Sequence, residues 1–566
     1  MNEKVMERVA WMRDFMRRSE LGAIVVPTMD PHGSEYVACH WQMREWLTGF
    51  TGSAGTAVLT STEALLWTDS RYWLQAEAQL QQTPFRLMRE GEDVEVAQWL
   101  QQTQGRVGFP EDMMTPELFD ELFPDLLRER AVALPADFAD VCWTERPALP
   151  LTAAERMPDN LAGESAQSKL RRVADWMATR GIGEYCVSDL SEIAWLLNLR
   201  AADIPYTPFL ISFLLLRTDG HHTLCVHRQQ VSPEVETYLA ALGVRLDAYE
   251  RGLQIQRQRL GHSFPPLPIA EMRAIKNPVE QEGFRTAHLR DGVAMVRFLR
   301  LLDEHFGDWT ELSASDQLEA LRRQQPGFCG LSFATIAASG EHAAIVHYEP
   351  TADTDIPLRD GLFLLDSGAH YDCGTTDVTR TIALGTVSDE QKKAYTLVLR
   401  GHLQLQNLRF PVGTTGLQLD TAARAPLWRA GFDFGHGTGH GVGHRLSVHE
   451  GPLQIRKNLR PCTTLPMQAG QVITDEPGIY DAGRYGVRIE NTLLCVPAEE
   501  TPFGRFLCFE PLTLCPYDMR AVVPDMLTAE ERQWLNQYHR CVREKLLPHL
   551  SDEADRRWLC CATEEF

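Results

Sequence analysis

The sequence predicts an α/β chain with α+β character, built from two smaller domains and a larger third one that carries the chemistry. Three observations predict it. Helical and strand-like periods alternate from the N-terminus and again from about residue 156 to about 272, with the second run opening after a linker. The length, 566 residues, exceeds what one hydrophobic core fills. Acids and histidines of ligand character gather late in the chain, between residues 366 and 490.

The first domain, residues 1–155, opens on an amphipathic helix. A strand at Ala23 to Val26 and a Gly-rich turn region, TGFTGSAG, follow. ALLWTD then reads as a strand, YWLQAEAQL as a helix and GRVGF as a short strand, an α/β alternation. PALPLTAAER is a Pro- and Ala-rich linker. In the second domain, residues 156–272, KLRRVADWMATRG reads as a helix, EYCVSD as a strand and SEIAWLLNLR as a helix. FLISFLLL and HHTLCVH follow as strands. The third domain, 273–566, begins at FPPLPIAEMRAIKNPVEQE. Asn277 is placed as an N-cap, Pro278 at the first helical position and Glu280 to close a capping box. Leu289, Val293, Val296 and Leu299 continue at helical spacing.

Composition narrows the function classes. Apolar residues make up 44% and charged residues 23%, as in ordinary globular proteins. A net charge of -22 argues against nucleic-acid binding. The N-terminus lacks a signal-peptide core, and no stretch approaches the ~18 apolar residues of a membrane span. The thirteen cysteines have no CxxC spacing. Reduced thiols in a cytoplasmic protein are the expectation, with no membrane partner. The adjacent Cys560 and Cys561 read as tail residues.

The informative runs are LLDSGAHYDCGTTDVTRT, HGTGHGVGHRLSVHEGP, DEPGIY and GVRIEN. In the first, an apolar strand ends on Asp366, and Asp377 enters another. An ionised carboxylate at the end of an apolar strand is costly unless something pairs with it. Taken singly, Asp366 can cap a turn and Asp377 can pair with Arg380. Glu476 ends a further apolar strand before Pro477. Alternation along GVRIEN places Arg488 and Glu490 on one face. The glycines around His436, His440, His444 and His449 permit close backbone approach; His444 reads as an ordinary histidine. Asp366, Asp377, His440, Glu476 and Glu490 together are the donor mix that holds two divalent cations around a shared water, the arrangement of metal-assisted hydrolysis.

These runs carry a resemblance. The third domain resembles the pita-bread metallopeptidases, and the chain is most similar to the aminopeptidase P family in its long three-domain cytosolic form. MREWLTGFTGSAGTAVLT and LLWTDSRYWLQA carry it in the first domain, and SEIAWLLNLRAADIPYTP in the second. ASGEHAAIVHYEP, the acid- and histidine-bearing runs and FEPLTLCPYD carry it in the third. The resemblance implies two creatinase-like N-terminal α/β domains ahead of a pita-bread catalytic domain. It implies metal ligands at Asp366, Asp377, His440, Glu476 and Glu490, and two divalent ions, in this family usually manganese. Asp377 and Glu490 would bridge them around a shared hydroxide. Glu476 would shuttle the proton, with His347 and His449 as the other catalytic groups. Arg71, His347, His436, His449, Tyr480 and Arg488 would line the substrate pocket. Ser70, where glycine is typical, and Cys373 depart from the family pattern without touching ligand chemistry.

The implied activity is removal of the first residue from peptides with proline at position two. Prolidase, a dipeptidase of the same fold, is the alternative; it usually has a single smaller N-terminal domain. A non-catalytic pita-bread binding module is the remaining reading, and such proteins typically lose ligands. The amphipathic stretch Glu530 to Leu547, with Trp534, Leu535, Tyr538 and Val542, either packs internally or forms an interface. A homodimer is the expectation.

Overall fold

The computed structural model describes residues 2–262 and 264–566. The chain divides into two compact units. One comprises Met1–Pro158 and Glu164–Ile269; the other comprises Asp159–Gly163 and Ala270–Phe566.

The first unit holds two main sheets. A six-stranded sheet runs in the order Arg86–Arg89, Ala64–Thr68, Thr56–Thr60, Leu21–Pro27, Arg106–Phe109, Ala131–Ala133. Its centre is LGAIVVP, antiparallel to Thr56–Thr60 and parallel to Arg106–Phe109. A strand buried on both faces has no polar side, which is why that run is continuously apolar. The second sheet has four strands, Val244–Asp247, His222–Val226, Ser212–Arg217 and Glu184–Val187.

Two elements differ from the sequence reading. The strand read over 209–216 begins at Ser212. The Asp203 carboxylate takes the Ile211 N–H at 2.8 Å, so that amide is not free for a ladder. The helix read through Arg200 stops at Leu197, where Asn198 caps it in the left-handed conformation at φ 48°.

In the second unit a long helix, α1 (Pro278–His305), runs through the core. Asn277 Oδ1 accepts the amides of Val279 and Glu280 at 2.9 and 3.0 Å, and the Glu280 carboxylate returns to the Asn277 N–H at 2.9 Å. That capping box is the one the sequence announces. Ala294, Met295, Phe298 and Leu302 of α1 pack against Phe363, Leu365, Val378 and Ile382. The last four lie on paired antiparallel strands, β1 (Gly361–Ser367) and β2 (Val378–Leu384), with Ile336–Ser339 on the far edge of β1. Phe363 and Leu365 face α1, so Leu362, Leu364 and Asp366 face the other way.

A second sheet of six strands completes the unit. From its Phe410–Pro411 edge it runs through β9 (Gly504–Pro511), β8 (Asn491–Thr501), β5 (Val472–Asp475), β3 (Gly439–Gly441) and β4 (Glu450–Ile455). A separate hairpin joins β6 (Gly478–Asp481) to β7 (Tyr485–Arg488). The stretch after Glu530 forms a helix, Ala529–Leu546, whose Leu535, Tyr538, Val542 and Leu546 are buried in the core of this unit. No helix among the described residues is long and apolar enough to cross a membrane.

Candidate metal centre

The donors arrive from strand ends. Asp366 is the penultimate residue of β1 and lies opposite Thr379 of β2. Asp377 precedes β2. His440 is the middle residue of β3, Glu476 follows β5, and Glu490 lies between β7 and β8. Glycines flank His440 for a steric reason. A Cβ on Gly439 would come within 2.0 Å of the Thr474 carbonyl oxygen, and one on Gly441 within 2.3 Å of that of Glu450. Both neighbouring strands therefore press against β3 where the imidazole projects.

The ligand atoms of Asp377, His440 and Glu490 lie within 4.8 Å of one another. His440 Nε2 is 3.5 Å from Asp377 Oδ2 and 3.5 Å from Glu476 Oε1. Its Nδ1 pairs with the Gly441 carbonyl at 2.9 Å, which turns Nε2 toward the acids. The Thr379 hydroxyl donates to Glu490 Oε2 at 2.8 Å, and Arg488 Nε reaches the same hydroxyl at 3.3 Å. Arg488 and Glu490 thus meet at one point, as their shared face requires. Arg488 also donates to Asp366 Oδ2 from Nη2 and Nε, at 2.6 and 3.2 Å.

Burial and mutual repulsion dominate the electrostatics. Glu490 is pushed well above the usual carboxylate range, first by burial and then by the charges of Asp377, Asp366 and Glu476. Asp366 and Glu476 are raised, chiefly by burial; Arg488 opposes this at Asp366, and His440 and Arg488 oppose it at Glu476. Burial alone would lower His440, but the hydrogen bond it donates to Asp377 and the charge of Glu476 outweigh it and hold the imidazole up to about 9.

The donor set fits divalent cations. Asp366 Oδ1 and Glu490 Oε1 are buried and take no hydrogen bond among the described residues. Two orphaned carboxylate oxygens beside further acids are costly unless a cation neutralises them. Oxygen donors with one imidazole suit Mn²⁺, Zn²⁺, Co²⁺ or Fe²⁺ rather than a soft, thiol-seeking ion.

Arg380 is not the counter-ion of Asp377. Along β2 it points opposite to Thr379 and Thr381. Its guanidinium, fully buried, bonds the carbonyls of Thr379, Glu490, Cys515 and Pro516 with Asn491 Oδ1 and the Tyr538 hydroxyl, at 2.7–3.1 Å. It braces the backbone behind Glu490.

The pocket residues fall in graded relation to the donors. Arg488 Nη1 donates to the Tyr480 hydroxyl at 2.8 Å, and that hydroxyl lies 2.8 Å from His436 Nε2. His436 Nδ1 pairs with the Gly437 carbonyl at 2.7 Å and stands 4.0 Å from Glu476 Oε2. Asp366, Arg488, Tyr480 and His436 therefore form one hydrogen-bonded chain whose far end stands beside Glu476. Burial first, against the opposing pull of Arg488, lifts the Tyr480 phenol to about 12, so it stays a neutral donor. His449 meets the His440 ring edge-on, centroids 4.3 Å apart. His347 is half-buried just past the short helix Gly340–Ala344, against which β7 packs. Its neighbour Tyr348 shares an apolar cluster with Leu364 and Tyr480, and Leu364 lies on the face of β1 that carries Asp366. Arg71 belongs to the other unit, where its fork grips Asp69 at 2.8 and 2.7 Å. His444 is buried, with Nε2 on the Cys373 carbonyl at 2.7 Å. All thirteen cysteines are free thiols, and burial pushes that of Cys373 up to about 12. The sequence reading passed over Thr379, Thr381 and Thr474. Their alternation with acids along apolar strands is the one signal that could have found them.

An acid-rich buried centre on strand ends, in a unit that opens on a long capped helix, defines a metallohydrolase. Residues 282–497 match "Metallopeptidase family M24" and 505–566 the "C-terminal region of peptidase_M24". Residues 8–137 and 145–263 each match "Creatinase/Prolidase N-terminal domain". The chain belongs to metallopeptidase family M24. Over almost its whole length it is similar to proteins named for one activity. It is 36% identical to "Aminopeptidase P1" of Arabidopsis thaliana, covering 96% of each chain. It is 34% identical to "Xaa-Pro aminopeptidase 1" of Dictyostelium discoideum, covering 96% of this chain and 93% of that one. The crystal structure of X-prolyl aminopeptidase from Caenorhabditis elegans, described as a cytosolic enzyme with a di-nuclear active site, superposes with a TM-score of 0.93. It is 32% identical, with 99% and 100% of the two chains covered.

Proposed function

We infer that the chain is a metal-dependent aminopeptidase that releases the first residue of peptides with proline at position two. The observation that carries this is the convergence of Asp366, Asp377, His440, Glu476 and Glu490 around two uncompensated carboxylate oxygens, in a chain similar along its length to enzymes of that name.

Those five residues would hold a pair of divalent cations, of which manganese is the expected one. When bound, such a pair lowers the pKa of a shared water and supplies a nucleophile at neutral pH. The chain's own groups do the rest. Glu476 takes up the proton that the attacking water gives off and delivers it to the leaving nitrogen, with the Thr474 hydroxyl 3.3 Å from Oε1 to orient it. His449 and His347 donate to the oxygen that gains charge as the carbonyl is attacked. Tyr480 and His436, locked by Arg488, fix the wall of the pocket. The bond before proline is a tertiary amide without an N–H, so a site that grips the flanking groups can cut it where peptidases that need that donor cannot.

Several further assignments belong to this reading. The chain is organised as domains 1–155, 156–272 and 273–566, a division supported by the separate matches at 8–137 and 145–263. Arg71 binds the peptide beyond the proline, and the protein is a cytoplasmic homodimer. Light scattering tests the dimer, and a selective rise in KM for pentapeptides in Arg71→Ala tests the arginine.

The deciding assay strips the protein with a chelator and returns single metals. Arg-Pro-Pro and an Xaa-Pro dipeptide are the substrates. Release of Arg from the tripeptide, restored by a divalent cation and best by Mn²⁺, is the expected result. Preference for the dipeptide would make the protein a prolidase. Full activity in protein shown by elemental analysis to be metal-free would end the reading.

A further inference from the structure

We propose that Glu450, with Arg273 and Lys276, sets the position of His449, and that these three are positioning residues for the hydrolysis. The proposal rests on the role given above to His449.

Glu450 immediately follows His449 and opens β4, where it pairs in register with Gly441, the residue after His440. A bulge falls between His440 and Gly441. The contact between the two imidazoles is therefore fixed by where Glu450 sits in the ladder.

Glu450 is anchored by charge. Its side chain is 2% exposed and faces two cations. The Lys276 ammonium, 1% exposed, donates to Oε1, and Arg273 Nε stands 3.1 Å from Oε2. The cations are themselves held. The Lys276 ammonium also donates to the Arg273 carbonyl at 3.0 Å, and its backbone N–H to that of Gly470 at 2.8 Å. Glycine at 443 gives the carboxylate room, since a Cβ there would come within 2.9 Å of Glu450 Oε2.

Such a trio is a poor device for stability alone. Well-packed apolar side chains of similar volume hold a strand as well or better, without desolvating three charges. The ionic trio contributes position. A carboxylate that takes a hydrogen bond from an ammonium on one oxygen and stands against a guanidinium charge on the other has little freedom to move. The geometry this enforces is that of the neighbouring imidazole, and an error of about 1 Å in a catalytic group can cost about 100-fold in rate.

The test is a double-mutant cycle on the full metal-loaded chain, with Arg-Pro-Pro as substrate and metal content measured for every variant. Lys276→Met is expected to lower kcat by about 100-fold, with KM nearly unchanged and metal content at the wild-type level. Lys276→Arg, which restores the charge, should recover most of the loss. In a His449→Ala background Lys276→Met should cost nothing further, because the group it positions is gone. Losses that multiply in the double variant, or loss of metal in Lys276→Met, would overturn the proposal in favour of general damage or an effect through His440. His449→Ala with wild-type kcat would instead overturn the role of His449, and the positioning role with it. If Lys276→Met fails to fold, Arg273→Gln, which leaves the Lys276–Glu450 pair, takes its place in the same cycle under the same criteria.

Discussion

Loading the centre with cations must expel protons, and His440 carries one of them. Without a cation His440 is held up to about 9, so at pH 7.5 its imidazole is almost fully protonated. Glu490 is pushed in the same direction, well above the usual carboxylate range, by burial and then by its acidic neighbours. A ligating imidazole must be neutral and a ligating carboxylate ionised. Cation binding should therefore displace at least the His440 proton at that pH. Each proton released makes the apparent affinity about tenfold tighter per pH unit, or about 1.4 kcal/mol. The His440 proton is displaced at any pH below about 9, so its contribution to the affinity grows with pH up to that value. The cation-free protein follows the opposite trend. A folded-state pKa raised above the unfolded value gives stability that is complete below the unfolded pKa and is lost as pH rises through the folded one. His440 supports the cation-free fold fully below 6.5 and ceases to do so through about 9, while Glu490 is already losing its support above 4.5. The gap in melting temperature between loaded and stripped protein should thus widen from pH 6.5 to 9. Calorimetric metal titrations in buffers of different ionisation enthalpy count the protons. Zero net release at pH 7.5, with an affinity indifferent to pH, would refute the reasoning.

Other outcomes follow from the same geometry. Asp377→Asn or Glu490→Gln should lower bound metal, read by elemental analysis, because each contributes to the one compact donor group. His347→Ala should cut kcat by about 10²- to 10³-fold while metal content stays unchanged; a mutant that loses its metals would make the residue a ligand instead. Arg488→Met should destabilise the stripped protein by about 3–5 kcal/mol, since it leaves the Asp366 charge buried and unpaired. Denaturant melts should show that loss shrinking when cations are returned.

The donors were legible in the sequence because acids at the ends of apolar strands have no inexpensive explanation. The long helix was legible for a similar reason: Asn277, Pro278 and Glu280 are local signals that need no tertiary partner. What could not be read was non-local. Thr379 is an ordinary strand threonine until Glu490, 111 positions away, is folded against it. Arg380 looked like a partner for Asp377 three residues earlier, but strand alternation sends it to carbonyls near residues 490 and 515. Ile211 lost its place in a strand to Asp203, a competition that no pattern of apolar residues records.

The segment Asp159–Gly163 lies in the unit that bears the donors, although the chain on both sides of it belongs to the other unit. Leu161 packs with Ala287, Phe328, Tyr371 and Cys373, and the Ala162 carbonyl accepts from the Asn277 side chain at 2.8 Å. The unit with the metal centre is therefore woven from two stretches of chain separated by more than a hundred positions. A fragment begun at residue 270 would lack the residue that fills the seat beside Ala287 and the acceptor that steadies the cap of α1. A protease cutting once between 163 and 270 would leave those five residues as a tethered patch belonging to the other product. A single cut between 163 and 270 therefore cannot part the two units cleanly, because it carries away a strip of the one that holds the donors.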